Sequence, residues 1–360
     1  MLPAGLFFLA VACQPDKDVP AETFSAPTPM TFPMPAQAGW PAPQPMPADN
    51  PLTEEGVALG RRLFYEKQLS ADGTISCASC HQQSKAFTDG RAFAIGVNGQ
   101  QHRRSSMSLV NLAWDKSFTW DGATNSLETQ ARVPLENPVE MHQSLATSAS
   151  KLQQLGNYPQ LFGKAFGSSQ ITEDNILKAL AQFERTLVSY NSKYDRSKRG
   201  EVRLTADEQA GLDLFSTHSG PGINGAECFH CHSLPSVSGI HEFTNNGVDV
   251  APFADPGRGG VTGQAFEVGR FKIPNLRNVA LTAPYMHDGR FQTLEEVIDH
   301  YSDHVKSAPT TDGILFSNPN NFPSGRILLN ADQKRQILAF LHTLTDTSFL
   351  TDPRYSDPNP

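Results

Sequence analysis

The sequence predicts a mostly α fold in which two halves, related by internal duplication, are joined by many irregular loops. Three observations carry that expectation. The pentapeptide Cys-x-x-Cys-His occurs twice, at Cys77–His81 and at Cys228–His232. Identical residues recur at fixed offsets around the two copies. Apolar residues return at helical spacing between and beyond them. Two cysteines one short helical turn apart can each form a thioether with a haem vinyl group, and the histidine that follows then lies under the iron as an axial ligand. Each half therefore reads as a c-type cytochrome domain: Cys77, Cys80 and His81 hold one c-type haem, and Cys228, Cys231 and His232 hold a second. A four-cysteine zinc site or a redox dithiol would use the same thiols. Neither needs a histidine after each pair, and the halves of a zinc site usually meet within a short loop, not across 151 residues.

A chain of 360 residues suffices for two cores of ordinary size. Its 27 glycines and 27 prolines promise irregular structure, as expected where a bulky cofactor replaces part of the side-chain core. The formal charge of −8 argues against nucleic acid and suits a basic protein partner. The apolar run Leu2–Ala12 leads into Cys13, which predicts an export signal over residues 1–13 with Cys13 as the lipidated first residue of the mature chain. That run is too short to span a bilayer. The protein is thus expected in the periplasm, touching a bacterial membrane only through its lipid. Residues 14–50, rich in proline and poor in aliphatic side chains, read as a tether, and residues 349–360 as a loose tail.

The folded part is expected over residues 51–195 (N-terminal haem domain) and 196–348 (C-terminal haem domain). Thr53 precedes Glu54 and Glu55, and Thr205 precedes Ala206 and Asp207, so a helix cap and a first turn suited to the dipole open each half. Leu63 and Phe64 return as Leu214 and Phe215 at the same offset of 151 as the cysteines. A second block, Leu109, Asn111, Asp121, Gly122, Leu127 and Glu128, returns at an offset of 167 as Leu276, Asn278, Asp288, Gly289, Leu294 and Glu295. Between the halves, Ile171–Val188 reads as one helix capped by Thr172, and the polar, broken stretch Tyr190–Gly200 reads as the domain boundary. Thr293 and Glu296 form a capping box, after which Leu294, Val297, Ile298 and Tyr301 share one face. With that face against the second haem, Tyr301 is buried and His300 is turned away.

The runs Ser76–His81, Phe87–Gly90, Trp120–Gly122, Asn137–Met141, Arg185–Ser189 and above all Phe271–Tyr301 resemble the bacterial di-haem cytochrome c peroxidases and their MauG-type relatives over residues 51–345. The resemblance implies an exported enzyme that reduces hydrogen peroxide with electrons from a small cytochrome c or cupredoxin. MauG-type members instead oxidise residues of a partner protein. A reading from another class, a non-catalytic electron-transfer cytochrome, requires six-coordinate iron in both halves. The resemblance further implies Glu140 as the acid/base residue, Gln130 as a neighbour that orients peroxide, and Trp120 as an electron relay between the haems. It implies Tyr301 as the sixth ligand of the second haem, with Met286 and His300 as rivals. A calcium ion is implied at the backbone of Thr282 and Pro284, although Ser105 stands where the family has an asparagine side chain.

Breaking the peroxide O–O bond heterolytically needs a group that takes a proton from one oxygen and returns it to the other, a task suited to a sheltered carboxylate such as Glu140. Moving Tyr301 back by 167 residues lands on Pro134, which cannot ligate iron. In the loop Ala94–Gly99, Val97 stands where the family's peroxidases have a capping histidine. The first haem is therefore expected to be five-coordinate without reductive activation, and His102 to be a solvated surface histidine.

Overall fold

Helix starts obey the side-chain rules that the sequence suggests. In the computed structural model, which describes residues 23–35, 39–223, 225–234, 238–239, 242–321 and 323–359, Thr53 caps α1 (Glu54–Phe64) by accepting from the Gly56 N–H. The first motif forms the single turn α2 (Cys77–Cys80). Next come α3 (Leu127–Glu136), α4 (Leu145–Gln153), α5 (Tyr158–Phe166) and α6 (Glu173–Arg185), the last capped by Thr172. The second half holds α7 (Lys193–Lys198), α8 (Ala206–Phe215), α9 (Cys228–Cys231), α10 (Arg258–Thr262), α11 (Leu294–Asp299), α12 (Ala331–His342) and α13 (Thr347–Leu350). Helix covers 41% of the chain, and the strands are two antiparallel pairs of two-residue segments, so the fold is mostly helical as expected.

Two cores form. One gathers Leu59, Leu63, Phe64, Phe87, Phe162, Leu180 and Phe183, and the other Leu212, Phe215, Ile298, Ile337 and Phe340. The same contacts recur in both. A Cβ on Gly60 would lie 1.9 Å from the Ala179 carbonyl oxygen, and one on Gly211 would lie 1.9 Å from that of Gln336, so α1 crosses α6, and α8 crosses α12, at a glycine-only distance. Asn111 and Asn278 both adopt φ of 62°. The Asn111 Oδ1 accepts from the Ser189 N–H, and the Asn278 Oδ1 accepts from the Asp346 N–H, each fastening the chain that leaves the long helix of its half.

Four expectations change. The inter-half helix is shorter than residues 171–188, because Thr172 takes up the Asn175 N–H as a cap and the chain leaves the helix after Arg185. The supposed boundary at 190–200 contains α7, whose Tyr194 and Asp195 are buried. The proline-rich tether is, over its described residues, a strap on the folded body. Met30 N–H donates to the Leu52 carbonyl, Glu54 N–H to that of Thr28, and Trp114 Nε1–H to that of Pro41, while Trp40 lies edge-on to Trp114 with ring centroids 5.1 Å apart. Proline lacks an N–H, yet its carbonyl still accepts and its ring still packs. The expected loose tail is likewise docked. Phe349 and Tyr355 enter the first core, and Tyr65 Oη–H and Arg61 Nε–H donate to the carbonyls of Tyr355 and Ser356. Cys13 and the rest of residues 1–22 lie outside the described residues. No described helix is long and apolar enough to cross a membrane.

Candidate active site

A cavity of about 270 Å³ opens where the two halves meet. Cys77, Cys80, His81, Gln130, Pro134 and Glu140 line it from the first half, and Pro274, Leu276, Pro284 and Met286 from the second. His81 caps α2, its N–H donating to the Cys77 carbonyl at 2.9 Å. Its Nδ1 lies 2.9 Å from the Phe87 carbonyl oxygen, which accepts only if Nδ1 carries the proton. That leaves the Nε2 lone pair for a metal, the usual second-shell device for orienting a histidine ligand. Burial lowers the His81 pKa and keeps the ring neutral, the form that binds iron. Two thiols on one turn, a neutral imidazole with the correct nitrogen free, and a cavity beside them fit a covalently held haem.

α3 and the turn after it supply the opposite wall. Gln130 and Pro134 stand one helical turn apart on α3, and the Pro134 carbonyl accepts from the Met141 N–H at 3.0 Å, which brings Glu140 back over the cavity. The Glu140 main chain is held by Val97, whose N–H donates to the Glu140 carbonyl at 2.8 Å. Val97 itself is buried. Glu140 Oε2 is buried and has no hydrogen-bond partner among the described groups, whereas Oε1 faces His102 Nε2 at 3.4 Å. Burial raises the Glu140 pKa, and His102 opposes that shift. His102 is thus not the solvated surface histidine expected, because the loop turns it inward onto the carboxylate.

Trp120 stands at the junction of the halves. Its ring lines the cavity, its Nε1–H donates to the Ser105 carbonyl at 3.0 Å, and its own carbonyl accepts from the Lys272 N–H at 2.8 Å. Composition and motif did not reveal what fixes this junction. Arg104 reaches Asp121 at 2.6 Å and Asp255 at 2.8 Å, and the buried Lys272 pairs with Asp115 at 2.9 Å. Arg104–Asp255 and Lys272–Asp115 each join residues more than a hundred positions apart, so no local pattern announces them.

At the second motif, α11 continues into a π-helical turn at His300–His304. Tyr301 Oη accepts from Asn246 Nδ2–H at 3.2 Å. Burial pushes its pKa up to about 12 against that bond, with Cys231 and Cys228 adding to the rise, which sets the phenol beside the second pair of thiols. His300 is buried, and its Nε2 is satisfied by the Asn246 carbonyl at 2.9 Å. Met286 Sδ accepts from Asn246 Nδ2–H at 3.2 Å.

Ser105, Thr282 and Pro284, where calcium was expected, line the same cavity, but the Ser105 hydroxyl donates to the Met286 carbonyl at 3.1 Å. Elsewhere Asp249, His287 and Asp288 bring ligand atoms within 4.8 Å of one another. Arg290 already neutralises both aspartates there, at 2.6 and 2.5 Å.

The model of the di-haem cytochrome c peroxidase family matches residues 54–203. The chain is 36% identical over 307 residues to the methylamine utilization protein MauG of Methylorubrum extorquens, an alignment spanning 83% of this chain and 81% of that protein. It is 34% identical over 311 residues to the cytochrome c551 peroxidase of Nitrosomonas europaea, spanning 84% and 83%. The crystal structure of a MauG-like protein associated with microbial copper homeostasis superposes with a TM-score of 0.81 at 37% identity, covering 91% of this chain and 99% of that one. Likeness of this extent, together with two Cys-x-x-Cys-His sites built to hold haem, establishes that the chain belongs to the di-haem cytochrome c peroxidase and MauG family and carries two c-type haems.

Proposed function

We propose that this protein reduces hydrogen peroxide to water with electrons from a small redox protein, peroxide being handled at the first motif. The observation that carries the reading is Glu140: a buried carboxylate oxygen without a partner, on the wall of the cavity that also holds Cys77, Cys80 and His81. The haem, when bound, supplies the iron site that holds a peroxide oxygen and exchanges electrons. Glu140 Oε2 takes the proton from that oxygen and returns it to the departing one, and the Gln130 amide, on the same wall, orients the molecule by hydrogen bonding. Trp120 relays electrons between the halves. Its Nε1–H is held by a carbonyl, which does not accept a proton, so an oxidised ring keeps its own.

The reading includes the finer assignments. The two halves are homologous c-type domains, the second beginning at α7 rather than at residue 196, supported by the paired Gly60/Gly211 and Asn111/Asn278 contacts. Export and lipidation at Cys13 rest on the apolar run before it. Tyr301 as sixth ligand of the second haem is supported by its place beside Cys231 and Cys228. That same tyrosine favours a second reading, MauG-type oxidation of a partner protein, because an oxygen ligand stabilises a higher iron oxidation state whereas methionine raises the potential.

Steady-state turnover of peroxide with a reduced small cytochrome c separates the readings. Fast turnover is expected. Slow turnover with a long-lived oxidised state would support MauG-type chemistry, and no turnover would support an electron carrier. Because the repeat offset puts Pro134, and the family resemblance puts Val97, where a sixth ligand of the first haem would come from, the oxidised holoprotein is expected to give one high-spin and one low-spin electron paramagnetic resonance (EPR) signal. Two low-spin signals would reject an open first iron.

A further inference from the structure

The loop Ala94–Arg104 folds back on itself. His102 N–H donates to the Ala94 carbonyl at 2.8 Å and Gly96 N–H to that of Gln100 at 2.9 Å. Its turn is fastened to the segment bearing Glu140 by the Val97 N–H, and Gly96 packs so closely that a Cβ there would lie 2.2 Å from the Val139 carbonyl oxygen. The loop therefore delivers His102 to one place, against Glu140 Oε1 at 3.4 Å.

The other ring nitrogen is served by one residue in two ways. Arg104 N–H lies 3.2 Å from His102 Nδ1 and can donate to it, while the Arg104 carbonyl oxygen lies 3.4 Å away and can accept from it. The imidazole is thus satisfied with or without a proton on Nδ1, and the ring need not move. The Arg104 guanidinium is drawn off to Asp121 and Asp255, which leaves Glu140 as the charged side chain that His102 contacts. The His102 side chain keeps 28% of its surface in solvent and that of Glu140 25%, but the Glu140 Oε2 atom itself has none.

Reduction of peroxide consumes protons: H2O2 + 2 H⁺ + 2 e⁻ gives 2 H2O, the electrons coming from the reduced donor protein. Glu140 can recycle one of peroxide's own protons, but the two additional protons must come from solvent, and Oε2 does not reach it. We infer that His102 is the proton relay for Glu140. The ring takes a proton from solvent at Nδ1, hydrogen-bonding it to the Arg104 carbonyl, as Nε2–H passes its own proton to Glu140 Oε1; exchange of the ring protons with solvent then restores the Nε2–H form for the second proton. The relay rests on the acid/base assignment of Glu140 and acts only through it.

The test uses the holoprotein, peroxide and a reduced small cytochrome c. His102→Ala and His102→Gln are both expected to lower kcat/KM for peroxide by about 10²-fold. Added imidazole should restore most of the rate to His102→Ala, where a space is left, and none to His102→Gln, where it is filled. In a Glu140→Gln background, His102→Ala should cost nothing further. The EPR spectrum of the oxidised protein should be the same in wild type and His102→Ala. Wild-type turnover in His102→Gln would overturn the relay, since a hydrogen bond alone would then suffice. So would losses that add in the double variant, or a low-spin signal that His102→Ala removes, which would make His102 an iron ligand. Full activity in Glu140→Gln alone would instead remove the assignment beneath the relay.

Discussion

Glu140→Gln is expected to lower kcat/KM for hydrogen peroxide by about two to four orders of magnitude, the usual contribution of a positioned general acid–base, with the absorbance and EPR signals of both haems unchanged. The substitution is nearly isosteric, so the cavity keeps its shape. The amide oxygen still accepts from His102 Nε2–H, and the backbone bond from Val97 is untouched. What disappears is the basic site at Oε2. Glu140 must be ionised to take the first proton, and burial raises its pKa. In the wild type, kcat/KM should therefore decline on the acid side as pH falls through a value above the ordinary glutamate range, and Glu140→Gln should show no such limb in its residual rate. Retained turnover in the variant would reject the assignment.

The anchoring chemistry was legible in the sequence because it is local. Cys-x-x-Cys-His places both thiols and the imidazole within one turn, and the threonine caps at 53, 172, 205 and 293 act on N–H groups three residues away. Leu63 and Phe64 join the first core, Leu214 and Phe215 pack in the second, and Asn111 and Asn278 share a φ of 62°. What escaped was whatever depends on partners distant in sequence. Residues 23–50 look like a tether because their composition is proline-rich, but Trp40 has Trp114 to lean on and Pro41 has the indole N–H of Trp114. The tail looks loose because it is short and polar, but Phe349 and Tyr355 find the core around Phe87. His102 lacks a motif of its own, and its role emerges only once the loop hairpin folds it onto Glu140. His300 opens the π-helical turn and is buried against Phe291, a placement that no local pattern indicated.

Asp195→Ala is expected to cost about 3–5 kcal/mol, the penalty for removing one partner of a buried ion pair. Asp195 and Arg277 are both 0% exposed, with Nη1 and Oδ2 2.5 Å apart. The guanidinium also lies over the rings of Trp40 and Tyr194, at 5.1 and 5.5 Å. The pair thus joins three segments that the sequence separates: the strap through Trp40, the linker helix α7, and the Phe271–Tyr301 run. Asp195 Oδ2 further accepts from the Ser192 N–H at 2.9 Å, completing the capping box of α7, so the same substitution frays the helix between the halves. Leu276, next to Arg277, lines the cavity. The loss should therefore register both as a lower denaturant midpoint and as a weaker response of the haem absorbance to peroxide. Arg277→Met combined with Asp195→Ala separates charge from packing. If the cost comes from stranding a cation, the double variant should regain much of the lost stability. If it comes from the stacked rings and the helix cap, the double variant should be no better than the single one. A single variant that loses less than about 1 kcal/mol, the scale of an exposed pair, would show that the strap and linker are held by other contacts.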